Sequence, residues 1–378
     1  MFRAALLDGI PRDIAAVADY EAYARRRLDD NAWAYLDGAA GDELTRGWNR
    51  AAFDHQPLLP RVMNDVAGGH CRVTLLGREH ACPVLLAPVA WQKLFHPEGE
   101  RATAYAAAAL GSGMILSTLA SCTLEEVAAA ARRGGDGPRW FQLYLQHERE
   151  ISAELVRRAE AAGYEAIVFT VDAPLNGIRN REQRVGFRLP PGVESANLLR
   201  STAKNGQKPK SRVSAVFDDL MHHAPTWRDL EWLLSLTRLP VIVKGVLHPD
   251  DAARAVDLGA AGIVVSNHGG RTLDTLPASL DVLPAIAHRL AGRVPILIDG
   301  GITRGSDIFK AIALGASAVL IGRPYVHALA AAGPLGVAHV LRLLQDELEA
   351  TMALCGVAHL GQISAEFLYD FPARRTPA

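Results

Sequence analysis

A closed (β/α)8 barrel is the fold this sequence predicts, on three observations. Eight short apolar, β-rich runs succeed one another from residue 83 onward. Helix-like, alanine-rich segments come after them. The runs are apolar without alternation, as strands covered on both faces must be. The runs lie at 83–88, 114–118, 139–145, 166–171, 240–244, 262–266, 295–299 and 318–321, and the helical segments include 123–133, 151–162, 250–258 and 306–314. Thr123 with Glu126 makes an S/T-x-x-E capping box, which sets a helix start directly after the second strand. Eight such units in a row fit a closed barrel better than an open doubly wound sheet.

Two segments stand outside the repeat. Residues 1–65 carry helical patterns at 14–28 and 42–53 around the turn Gly38, Ala39, Ala40, Gly41, and are expected to form a helical cap beside the barrel. The stretch 190–223 is polar and basic, with Arg200, Lys204, Lys208, Lys210 and Arg212, and delays the helix of the fourth unit. A connection that long inside a compact domain is expected to be a mobile lid. The chain, 1–378, is read as one domain with the barrel over 83–345.

Composition narrows the function. Apolar residues make up 49% of the 378, enough for a large core, and 40 Lys and Arg against 41 Asp and Glu leave a charge of −1. That balance gives no reason to expect a general nucleic-acid or polyanion binder. The four cysteines, Cys71, Cys82, Cys122 and Cys355, form no C-x-x-C pair, so neither a disulfide framework nor a cysteine metal site is expected. The amino end has no secretory h-region and no run of about 18 apolar residues occurs, so the expectation is a soluble, cytoplasmic protein without a membrane partner.

In such barrels the chemistry stands at the carboxyl ends of the strands. In order, those ends carry Pro88, Val89 and Ala90; Ser117 and Leu119; Gln142 and Tyr144; Thr170 and Asp172; Lys244; Ser266, Asn267 and His268 to Arg271; Asp299, Gly300 and Gly301; and Gly322 with Arg323. The glycines of the last two loops let backbone N–H groups approach an anion, and Arg304 and Arg323 can pair with a dianion, so a phosphorylated ligand is expected. His268 is the acid/base candidate, with Asp172 able to fix its tautomer. Arg179 and Arg271 can hold a substrate carboxylate by bidentate pairing. Lys244 has two readings: a cation beside an electron-accepting ring, or a Schiff-base amine.

These residues together resemble the FMN-dependent 2-hydroxy-acid oxidases and dehydrogenases. The resemblance runs from about residue 20 to 360 through Tyr35 to Asp42, Ala87 to Ala90, His96 to Glu100, Phe141 to Tyr144, Thr170 to Asp172, Val243 to Gly245, Val265 to Arg271, Asp299 to Gly301 and Ile321 to Pro324. It implies that His268 is the base and Asp172 its partner, that Arg179 and Arg271 bind the carboxylate, and that Tyr35 and Tyr144 hydrogen-bond the substrate. It further implies Lys244 beside the flavin, with Pro88, Val89, Ala90, Ser117, Gln142, Thr170 and Ser266 along the ring and ribityl chain. Asp299, Gly301, Arg304, Gly322 and Arg323 fall to the ribityl and phosphate end. The activity implied is oxidation of an L-2-hydroxy acid, lactate-like or larger, to the 2-oxo acid, with O2 reduced to H2O2. The rivals are a dehydrogenase passing electrons to a quinone or cytochrome, and a Schiff-base aldolase using Lys244. Tetramers are common in the resembled family. Leu119 stands where glycolate oxidase has tryptophan, which leaves Trp91, Phe95, Leu175 and Asn176 as alternative pocket walls.

Overall fold

Among the described residues ten strands form in the order β1 (Val73–Leu75), β2 (Arg78–His80), β3 (Val84–Leu86), β4 (Gly113–Ser117), β5 (Arg139–Leu143), β6 (Ala166–Thr170), β7 (Val241–Val246), β8 (Gly262–Val265), β9 (Ile296–Asp299) and β10 (Ala318–Ile321). In this computed structural model, which describes residues 2–198, 216–217, 221 and 224–370, β3 to β10 close a parallel barrel in the order β10-β3-β4-β5-β6-β7-β8-β9. Each of the eight predicted runs is one of these strands. Most of the stretch 190–223, expected to be a lid, lies outside the described residues.

The helices are α1 (Tyr20–Arg27), α2 (Asp30–Asp37), α3 (Leu44–Asp54), α4 (Glu100–Ala109), α5 (Leu124–Gly134), α6 (Arg149–Ala162), α7 (Asn180–Arg184), α8 (Trp227–Leu236), α9 (Pro249–Asp257), α10 (Ser279–Leu290), α11 (Gly305–Ala313) and α12 (Arg323–Leu354). The capping box at α5 forms as expected, with the Thr123 hydroxyl accepting from the Glu126 N–H and the Glu126 carboxylate accepting from the Thr123 N–H. The single helix expected at 14–28 is instead a 3-10 turn followed by α1. It stops at Arg27 because Leu28 is extended and Asp29 caps α2, its carboxylate accepting from the Ala32 N–H at 2.8 Å.

The β1–β2 hairpin was not visible in the sequence. Its turn residues Leu76 and Gly77 both have positive φ, the geometry that matches strand twist in a two-residue hairpin. Its Leu75 is buried with Leu85, Ile115, Trp140, Ile242 and Val264, so the hairpin packs against the layer of side chains that fills the barrel. Of the described helices, α12 alone is long and apolar enough to cross a membrane. It is broken at Ala332 and Gly333, and 67% of its most apolar window is buried, against neighbours that include α1, α4 and α11.

Strand periodicity carries that layer up to the site. The inward side chains Leu85, Ile115, Trp140, Val168, Ile242, Val264, Leu297 and Leu320 are packed together in the barrel. Two residues further along each strand, on the same face, stand Ala87, Ser117, Gln142, Thr170, Lys244, Ser266, Asp299 and Gly322. An apolar floor thus gives way to a polar layer within one repeat.

Candidate active site

Above that polar layer opens a cavity of about 850 Å³, lined by the strand ends together with the cap residues Tyr35, Leu36, Arg46, Asn49 and Arg50. At its side stands His268, whose Nδ1–H donates to Asp172 Oδ1 at 2.9 Å. Burial would raise the Asp172 pKa, but His268 and then Lys244 outweigh it and hold the carboxyl below its ordinary value. An ionised Asp172 keeps the imidazole proton on Nδ1 and leaves Nε2 as the basic nitrogen. The Tyr144 hydroxyl lies 3.3 Å from Nε2 and donates to it; burial pushes that phenol's pKa up, so it stays protonated. The backbone makes this pairing possible. Gly245 sits at a register shift in β7 with φ +102°, and a Cβ there would fall 2.4 Å from the Asp172 Cβ.

Arg179 and Arg271 meet beside this dyad. Arg271 donates to the carbonyls of Tyr35 and Gly38, each at 2.7 Å, and its guanidinium lies 4.9 Å from the Tyr35 ring centroid. Arg179 donates through Nε to the Arg271 carbonyl at 3.3 Å. Both guanidiniums also reach one carboxylate, Glu182 on α7, at 3.1 and 3.2 Å. Tyr35 is held flat by Phe187, stacked at 5.0 Å, with Trp91 at 5.4 Å. Leu119, Trp91, Leu175 and Asn176 line the cavity. Phe95 does not: it is fully buried behind Tyr35, and so belongs to the core.

Lys244 donates to Ser266 Oγ at 2.8 Å and pairs with Asp299 at 3.0 Å. Burial alone would lower its pKa, but the Asp299 and Asp172 carboxylates outweigh that and hold it above the ordinary lysine value. A lysine held cationic is not a nucleophilic amine, so the Schiff-base reading loses its footing. Beside Arg271, and sharing its Gly38 carbonyl acceptor, Arg323 donates to the carbonyls of Leu36, Gly269 and Gly38. No carboxylate contacts it among the described residues. Burial, with Arg271 and Arg46 adding repulsion, pushes its pKa down to about 9, the condition of a buried cation that lacks an anion.

The structure brings Pro88, Val89, Ala90, Ser117, Thr170, Gly301 and Gly322 to the cavity wall, with Ser266 and Gln142 buried in the layer beneath. Arg304 is not brought there. Its side chain is half exposed and paired with Glu347 at 3.2 Å. The loop it was expected to serve is held instead by Arg50 of α3, which donates to the Gly301 carbonyl at 2.7 Å and the Thr303 hydroxyl at 2.9 Å and pairs with Asp307. Sequence reasoning missed Arg50, Arg46, Glu182 and Phe187. Arg50 and Arg46 come from the cap, Glu182 and Phe187 from the connection after β6, and strand-end logic ranks neither segment.

Such a mouth suits a protein that takes a proton from a small carboxylate beside a bound anion. The model of the FMN-dependent dehydrogenase family matches residues 24–370. The chain is 51% identical to an L-lactate oxidase of Alicycliphilus denitrificans over 96% of this chain and 98% of that one. It is 42% identical to a glycolate oxidase of Spinacia oleracea over 97% and 99%. Among solved structures, a mandelate oxidase with (S)-4-hydroxymandelic acid superposes with a TM-score of 0.85 at 45% identity, covering 94% of this chain and 98% of that one. The chain belongs to the FMN-dependent dehydrogenase family.

The cavity fits the cofactor in that family's name. Gln142 Nε2, Thr170 Oγ1 and Asp299 Oδ1 are buried side-chain atoms without a hydrogen-bond partner, all in the polar layer that a flavin ring would cover. Lys244 stands in the same layer, and Arg323, with no carboxylate in contact among the described residues, matches a phosphate.

Proposed function

We infer that this chain oxidises an L-2-hydroxy acid to the 2-oxo acid with FMN, and that O2 is the electron acceptor. One observation carries the reading: the His268–Asp172 dyad, 2.9 Å apart, opens into the same cavity as the paired guanidiniums of Arg179 and Arg271. Each residue then has work that follows from its chemistry. The guanidiniums bind and orient the substrate carboxylate, which fixes where the α-carbon lies. His268 Nε2 takes the hydroxyl proton, and Asp172 stabilises the imidazolium so formed. The Tyr144 hydroxyl, 3.3 Å from Nε2, holds the substrate oxygen beside the ring. Held by the polar layer around Lys244 and by Arg323, FMN would supply a two-electron acceptor for the α-carbon, with O2 as the final oxidant and H2O2 as its product. Lys244, kept cationic by Asp299 and Asp172, supplies positive charge where negative charge gathers. Transfer of the α-hydrogen as hydride, or its removal as a proton, would use these same groups.

The side-chain end of the cavity, with Leu119, Trp91, Leu175 and Pro225, supports a lactate-like or larger aliphatic substrate. Anaerobic bleaching of the flavin across a panel of 2-hydroxy acids of both hands tests the reading; bleaching by none of them sinks it. Stoichiometric H2O2 per turnover separates the oxidase from a dehydrogenase that uses a quinone or cytochrome. On the family resemblance alone we also propose a cytoplasmic homotetramer, which light scattering and cell fractionation test.

A further inference from the structure

We infer that Glu182 sets the charge of the carboxylate-binding site, so that the site takes a single carboxylate and discriminates against a second anionic group. The inference rests on the proposed role of Arg179 and Arg271 in holding the substrate carboxylate. Glu182 Oε1 lies 3.1 Å from an Arg179 Nη and 3.2 Å from an Arg271 Nη, so one carboxylate bridges both cations. The three side chains are only 14–16% exposed, so water screens the cluster weakly. Among the described residues no other carboxylate is in contact with either guanidinium, and Arg271 Nη1 donates to the Tyr35 and Gly38 carbonyls.

Arg179, Arg271 and Glu182 sum to +1, with Arg323, which shares the Gly38 carbonyl with Arg271, assigned to the cofactor phosphate. A monocarboxylate brings it to zero, whereas a dianion would leave it negative. With Glu182 neutral the site would carry +2 and favour the dianion. Glu182 cannot easily leave. It stands on α7 between Arg179 and the carboxyl end of that helix, and the neighbouring Arg181 is locked to Asp37 at 2.6 Å and Glu43 at 2.5 Å. Glu182 is therefore a positioning and specificity residue that acts through the arginines rather than on the reacting atoms.

Oxalate and oxamate are matched in shape and differ by one charge, and binding of either to the holoenzyme can be read from perturbation of the flavin absorption. In Glu182→Gln the affinity for oxalate should rise roughly tenfold more than that for oxamate, from the charge no longer opposed at about 5 Å. Glu182→Ala should change the ratio in the same direction, and Glu182→Asp should keep that of the unaltered protein. A ratio unchanged in both neutral variants, with both anions still binding, overturns the inference alone. If neither anion perturbs the unaltered holoenzyme, or Arg271→Met leaves both affinities as they were, the carboxylate assignment fails and takes the inference with it.

Discussion

His268 holds a backbone φ of +57°, a left-handed conformation that costs a non-glycine residue roughly 1–2 kcal/mol. Its N–H donates to Ser266 Oγ at 3.0 Å, and the strained turn delivers the ring to Asp172. Replacing His268 with Gln should leave FMN bound and slow flavin reduction by about 10²–10⁴-fold, the usual share of a general base. Stopped-flow reduction at the native rate would remove His268 from the chemistry. Arg271→Met should raise KM and lower kcat together, since it both binds and orients; steady-state kinetics unchanged in either parameter would count against it. His268, Asp172 and Lys244 were legible because each ends a strand in a fold whose strand ends are functional. Glu182 was not, because its role depends on α7 turning one carboxylate toward two arginines that are 92 residues apart in sequence.

At the scale of elements, α3 binds the cap to the barrel through a reciprocal amide pair. Asn49 donates to Asn267 at 2.9 Å and Asn267 donates back at 2.8 Å, both fully buried. Asn49→Ala would leave the Asn267 amide without that partner, one residue from His268. Stability should fall by about 1–3 kcal/mol, read from urea unfolding. The opening of α12 offers a second prediction. Arg323→Met should weaken FMN binding by about 10–100-fold, the worth of a charge-assisted hydrogen bond, as measured by quenching of free-flavin fluorescence on titration with apoprotein. The barrel strands were readable from their continuous apolar character, and α5 from its capping box. The hairpin β1–β2 was not, because three residues per strand are too few to show alternation. Likewise α2 was hidden: Asp29 reads as one more polar residue until its carboxylate is seen on the Ala32 N–H.

At the scale of the molecule, two buried histidines tie stability to pH. Burial pushes the pKa of His80 and of His327 down to about 4 from 6.5. Between those values the unfolded imidazoles take up protons that the folded ones refuse. Their contribution to stability is therefore fully present above about pH 6.5 and is lost as the pH falls toward 4. Thermal midpoints measured across that range should decline, and His327→Gln should flatten the decline; a level profile in the unaltered protein contradicts the account.

The hairpin below the barrel has a consequence for traffic. With Leu75 packed against the apolar layer and that layer filling the lower half of the bore, the far end is stoppered. A hydroxy acid must therefore come and go at the carboxyl ends of the strands, where the cavity opens. The barrel is a bottle rather than a pipe, and the acid that enters and the oxo acid that leaves share its neck.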